Sequence, residues 1–119
     1  MQKIYLSNAF SLNMLNLNPD TPVPARLFVR PIDLNEVKSL LQRGFESAVG
    51  HQSTAQVLAS LLCIEVPTNR TSIKLKPQNI LIVFQLGIRL AEGQVLSDEE
   101  VLDLYNKGQA SFVLVEVEQ

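Results

Sequence analysis

The stretch "NILIVFQLGIRL", Asn79 to Leu90, decides the fold. From Ile80 to Phe84 every residue is apolar, so a strand here is buried on both faces, and such a strand lies inside a sheet with covering layers. At Gln85 the pattern changes. If the strand continues, Gln85, Gly87 and Arg89 share one face, because side chains alternate with period two. If the segment is helical, Gln85, Arg89 and Glu92 share a face instead. The Ile/Val-rich run and Gly87 favour the strand, and a glycine within a strand often marks close approach by a ligand or another backbone.

Outward from this run, strands and helices intermix. "KIYLS" (Lys3 to Ser7) alternates and reads as a strand, followed by an Asn- and Pro-rich irregular connection, "NAFSLNMLNLNPDTPVP". "ARLFVRPI" is a second strand, with Pro31 marking an end or an edge. Asp33 and Glu36 fit a capping box for a helix carrying Leu34, Val37 and Leu41, and Gly44 is its stop. "FESAV" reads as a short strand. Ser53 with Gln56 fits the cap of a second helix whose apolar positions include Val57, Leu58, Leu61 and Leu62. "TSIKLK" alternates and reads as a strand. Ser97 and Glu100 form a capping box, with Leu96 and Val101 as its staple, and "ASFVLVEVE" is the closing strand. The expected fold is α/β: one domain, with a mixed sheet of about five strands flanked by helices.

The chain has 119 residues, 46% hydrophobic and 18% charged, an ordinary globular balance. Its longest apolar run is too short to span a bilayer, and its start lacks the apolar core of a signal peptide. The one cysteine, Cys63, excludes an internal disulfide and lies in an apolar run, where a small buried hydrophobe is expected. These features fit a soluble cytoplasmic protein. With one Cys, one His and scattered carboxylates, no metal-ligand spacing is present, so any catalysis is expected to be metal-independent, without a cofactor. The net charge of −2 and pI near 5.3 argue against a protein that coats long nucleic acid. An anion would be bound by a few local groups.

The candidate groups are few. His51, the single histidine, sits in "SAVGHQSTAQ" at a helix entrance; histidine exchanges protons near neutrality, and a helix start attracts anions. Arg70 precedes a strand in "PTNRTS", and arginine's planar fork suits phosphate. Asn8 and Ser11 follow the first strand, where polar side chains either shape the turn or hold a ligand. Read singly, each has an ordinary surface explanation.

As an ordered set, "YLSNAFSLNML", "GHQST", "NR" and "IVFQLGIRLAEGQVLSDEE" resemble the viral ring nucleases, the type III anti-CRISPR enzymes of archaeal viruses and phages, which have relatives in mobile elements and bacterial defence loci. The match runs from about Lys3 to about Phe112. The resemblance implies a twofold homodimer that degrades cyclic tetra-adenylate, the second messenger of type III CRISPR complexes. It implies His51 as general acid to the leaving oxygen, Arg89 as the group that steadies the scissile phosphate, and Glu92 as an acidic partner that orients His51 or assists the 2′-hydroxyl. Asn8, Ser11, Arg70 and Gln85 match ring-contacting positions, and Ser53 is placed either to donate to phosphate or to cap the helix. Two other readings stand beside this one. The first is a non-catalytic sponge for the same messenger, and the second is a small dimeric DNA-binding regulator, against which the acidic balance weighs.

Overall fold

The computed structural model describes residues 2–21, 23–91 and 93–118. Its elements in chain order are β1 (Ile4–Ser7), a 3-10 turn (Leu12–Met14), β2 (Arg26–Ile32), α1 (Leu34–Leu41), β3 (Glu46–Ala48), α2 (Gln52–Leu62), β4 (Ile80–Leu86), α3 (Asp98–Asn106) and β5 (Ala110–Glu118). The strands form one five-stranded mixed sheet in the order β2-β5-β4-β1-β3. β1 is parallel to both β3 and β4, while β5 is antiparallel to both β4 and β2. β5 alone therefore opposes the direction of the other strands.

The apolar run explains itself in this sheet. Ile80, Ile82 and Phe84 enter the larger core, with buried residues of all three helices, while Leu81 and Val83 enter a smaller core on the opposite face. Phe84 and Phe112 meet across the β4–β5 pair with ring centroids 5.2 Å apart. Burying a side chain of this size contributes about 1.5–3 kcal/mol. Pro31 lies on β2, an edge strand, where its missing N–H costs no interior ladder bond.

The helices follow their sequence signals with small departures. Val37 and Leu41 bury on α1, and Gly44 stops it with φ of +97°. Asp33 caps α1 by accepting from the Glu36 N–H, but the Glu36 carboxylate turns to Arg30 instead of closing the capping box. The Ser97–Glu100 box is complete. α2 starts two residues earlier than Ser53 suggests: His51 is its N-cap, without a side-chain capping bond, and Ser53 lies inside the first turn. Cys63 is exposed, not buried, because α2 ends at Leu62 and Cys63 turns left-handed, with φ of 58°.

"TSIKLK" is not a strand. Ile73 and Leu75 are buried, but they pack onto the second face of the sheet with Leu81 and Val83, and the Leu75 N–H bonds the Met14 carbonyl at 2.7 Å. The alternation is that of a segment lying on a sheet. β4 also ends sooner than expected, at Leu86, so Arg89 is not in the strand.

Candidate functional site

The parallel strands β1, β3 and β4 finish side by side, since Ser7 pairs with both Ala48 and Val83. Chain leaving their carboxyl ends carries Asn8, then Gly50 and His51, then Ile88 and Arg89, and these line one open cleft of about 810 Å³. In open α/β sheets this edge, beyond the carboxyl ends of the strands, is where ligands bind.

The polar side of the cleft is the start of α2. Gln52, Ser53 and Thr54 line it, and the Ala55 N–H is the first of the helix to reach back to the His51 carbonyl. The earlier N–H groups have no partner within the helix, and the helix dipole adds partial positive charge there. The first turn contains no acidic residue. Arg70 and Arg89 also line the cleft, and among the described residues no carboxylate does. A chain of net charge −2 thus concentrates two of its five arginines and a helix amino end at one concave place. That arrangement favours a compact anion.

The loop that presents His51 is tied to the segment before Arg70. The Ser47 hydroxyl donates to the Pro67 carbonyl at 2.6 Å, and the Asn69 amide donates to the Ser47 carbonyl at 2.7 Å. The Asn69 N–H donates to the Val49 carbonyl at 2.7 Å, and Val49 forms a parallel bridge with Thr68. Arg70 Nε donates to the Gly50 carbonyl at 3.0 Å. Gly50 admits the arginine stem closely, because a Cβ there would lie 3.2 Å from Arg70 Cγ. His51 itself is exposed at the cleft, with an extended backbone.

The remaining candidates divide. Asn8 and Ser53 line the cleft with His51, Arg70 and Arg89. Ser11 does not; its hydroxyl accepts from the Asn13 N–H and caps the 3-10 turn. Gln85 does not either. It alternates with Phe84 and Leu86, which do line the cleft, and its side chain accepts from the Ser111 hydroxyl on the opposite face. The shared face expected for Gln85 and Arg89 fails because the strand stops between them. Glu92 lies outside the described residues. Among the described residues no three of His, Cys, Asp and Glu gather as a metal site.

Two features were missed from sequence. The floor of the cleft is apolar, formed by Phe84, Leu86 and Ile88, which a search for polar groups passes over. Asn69 was quoted only as the neighbour of Arg70; its double bond to the β3 end has no signature in sequence.

Residues 4–109 match the family model described as STIV B116-like. Uncharacterized protein 26 of Sulfolobus islandicus filamentous virus is 36% identical over 78 residues, covering 65% of this chain and 66% of that protein. Uncharacterized protein ORF117 of Acidianus two-tailed virus is 35% identical over 82 residues, covering 66% and 70%. These alignments span about two thirds of each viral relative. Among solved structures, B116 of Sulfolobus turreted icosahedral virus superposes with a TM-score of 0.80 at 31% identity, covering 96% of this chain and 98% of that one.

Proposed function

Because the chain belongs to the STIV B116-like family of archaeal viral proteins, we propose that it acts on a cyclic oligonucleotide as a viral ring nuclease, cleaving cyclic tetra-adenylate and so silencing type III CRISPR signalling. One observation carries this reading: His51, the free amides of α2, Arg70 and Arg89 converge on one cleft. An RNA phosphodiester needs such a set when its own 2′-hydroxyl is the nucleophile.

In this reaction the 2′-oxygen attacks the adjacent phosphorus in line, forming a 2′,3′-cyclic phosphate as the bond to the 5′-oxygen breaks. The 2′-hydroxyl proton leaves to solvent or to a nearby base, the role the resemblance offers Glu92. Arg89 and the α2 amides stabilise charge developing on the phosphorane oxygens. His51 gives its proton to the departing 5′-oxygen. Orientation of the ribose supplies much of the remaining rate. No enzyme nucleophile enters: the 2′-hydroxyl proton goes to solvent or base, and the proton on the departing 5′-oxygen comes from His51.

A single cleft of about 810 Å³ lies in the range that holds a drug-sized ligand. A ring of four nucleotides is larger, and its own symmetry suits two copies of the cleft related by a twofold axis. The proposed active form is therefore a homodimer, cutting opposite bonds to give linear di-adenylates.

The test is incubation with cyclic tetra-adenylate in EDTA, with products separated by chromatography. Linear di-adenylates are expected. A second reading, a non-catalytic sponge, draws on the fact that no described side chain hydrogen-bonds His51, so nothing described holds the imidazole in one orientation. Stoichiometric retention of intact ring would favour that reading, and an absence of both binding and cleavage would end both.

A further inference from the structure

We infer that Asn69 is a positioning residue that makes the His51 loop and the Arg70 segment one rigid unit, fixing the distance between the proton donor and the arginine that holds the substrate anion. The inference rests on the proposed reading of the cleft. Asn69 does not line the cleft, and its residue is exposed, so it serves neither ligand contact nor the core. It nevertheless makes two bonds of 2.7 Å, from its N–H to the Val49 carbonyl and from its side-chain amide to the Ser47 carbonyl. Those carbonyls stand two and four residues before His51, on the exposed edge of β3.

The consequence follows from chain geometry. β3 is only three residues long and pairs on one side only, with β1, so the chain from Ala48 to His51 has little ladder to hold it. The 67–70 segment supplies the missing partner. Arg70 follows Asn69 directly and bonds the Gly50 carbonyl, adjacent to His51. Removing the Asn69 side-chain bond therefore loosens the His51 loop against the Arg70 segment, leaving the bonds at Ser47, Val49 and Gly50 to hold the pair, while α2, buried through Ala55, Val57 and Leu58, stays in place. Reacting groups displaced by an ångström lose about 10²-fold in rate.

The test uses the full chain with Asn69→Ala and Asn69→Asp; both keep the backbone bond to Val49 and lose the side-chain donor to Ser47, and Asn69→Asp also keeps the side chain's shape. Because His51 is the only histidine, its imidazole C2 proton gives a unique NMR resonance, which is followed as inorganic phosphate is added. In the unsubstituted protein phosphate is expected to shift this resonance, and Arg70→Ala to reduce the shift. Both Asn69 variants are expected to lose at least half of the shift at saturating phosphate. They are also expected to lose about 10- to 100-fold in kcat on cyclic tetra-adenylate, with a smaller change in KM. Both are measured at a temperature where circular dichroism shows the variants folded. A normal shift with normal kcat in both variants overturns the inference, as does a phosphate response missing from the unsubstituted protein. If the unsubstituted protein leaves cyclic tetra-adenylate intact yet the shift is halved in the variants, the ring-nuclease reading falls and the positioning role stands.

Discussion

The wall of the cleft that carries His51 is bonded to its neighbour at Ser47, Val49 and Gly50, whereas among the described residues the wall that carries Arg89 is hydrogen-bonded to the rest of the fold at its two ends. At one end the Gly87 N–H bonds the Gln109 carbonyl at 2.6 Å. At the other, the Gln56 side chain donates to the Leu96 carbonyl at 3.2 Å. Between them the described hydrogen bonds stay within the loop, joining Ala91 and Gln94. The difference matches the tasks. A proton donor acts over one hydrogen-bond length and tolerates little error, while a long guanidinium reaches a phosphate from a range of backbone positions.

The largest expected effect comes from the tightly held wall. His51→Ala is expected to lower kcat by about 10²- to 10⁴-fold. Its affinity for cyclic tetra-adenylate, measured by calorimetry, should stay near that of the unsubstituted protein. Cleavage at an unchanged rate would remove His51 from the chemistry.

A paired substitution then compares the walls directly. In Gly50→Ala the new Cβ meets Arg70 Cγ at 3.2 Å, and the stem has little freedom because Nε is bonded to the Gly50 carbonyl. Losing a charged hydrogen bond of this kind predicts a fall in kcat/KM of about 10-fold. In Gly87→Ala the Cβ meets the Gln109 carbonyl at 3.3 Å, and the few tenths of an ångström it needs fall on the exposed start of the Arg89 loop and not on an arginine of the cleft. A change under about 3-fold is expected there, as for other mild overpacking. The reverse order would break the contrast between the walls.

The smallest effect lies away from the cleft. The Arg30 guanidinium beside Glu36 holds its carboxyl below the usual carboxylate range. A depressed folded value means the pair stabilises the fold above the ordinary carboxylate range, and that contribution fades as pH falls through the folded value. The pair is substantially exposed and solvent-screened. Glu36→Gln should therefore lower the melting temperature slightly at pH 7, match the unsubstituted protein in acid, and leave cleavage unchanged.

How far the sequence reads ahead of the structure depends on what produces each pattern. The buried run Ile80 to Phe84 and the Ser97–Glu100 box are local, and both are where periodicity and capping chemistry place them. "TSIKLK" was misread because period two reports one buried face, and packing onto a sheet yields the same spacing as pairing within it. The strand end at Leu86 was missed because its limit is set by a partner distant in sequence: the ladder with β5 runs out where β5 begins, its final bond joining Gly87 to Gln109. The cleft set His51, Ser53, Arg70 and Arg89 was named from motifs, yet nothing local tells which loops meet. The face of Gln85 is set by its alternation with Phe84 and Leu86 inside β4; what the boundary at Leu86 changes is Arg89, which reaches the cleft from a loop and not from the strand.

The place of β5 in the sheet bears on how the chain acquires its shape. β2 has no partner except β5, and Arg26 is matched with Glu118. During synthesis β2 is therefore made long before β5 can pair with it, and its Phe28 and Val29, exposed even in the finished fold, belong to an unpaired apolar strand until then. Contacts so far apart in sequence close slowly, and unpaired strands invite association with other chains. Pairing of β2 must wait for β5 to be made, and a nascent chain arrested before β5 emerges carries β2 as an unpaired apolar strand, far from the cleft.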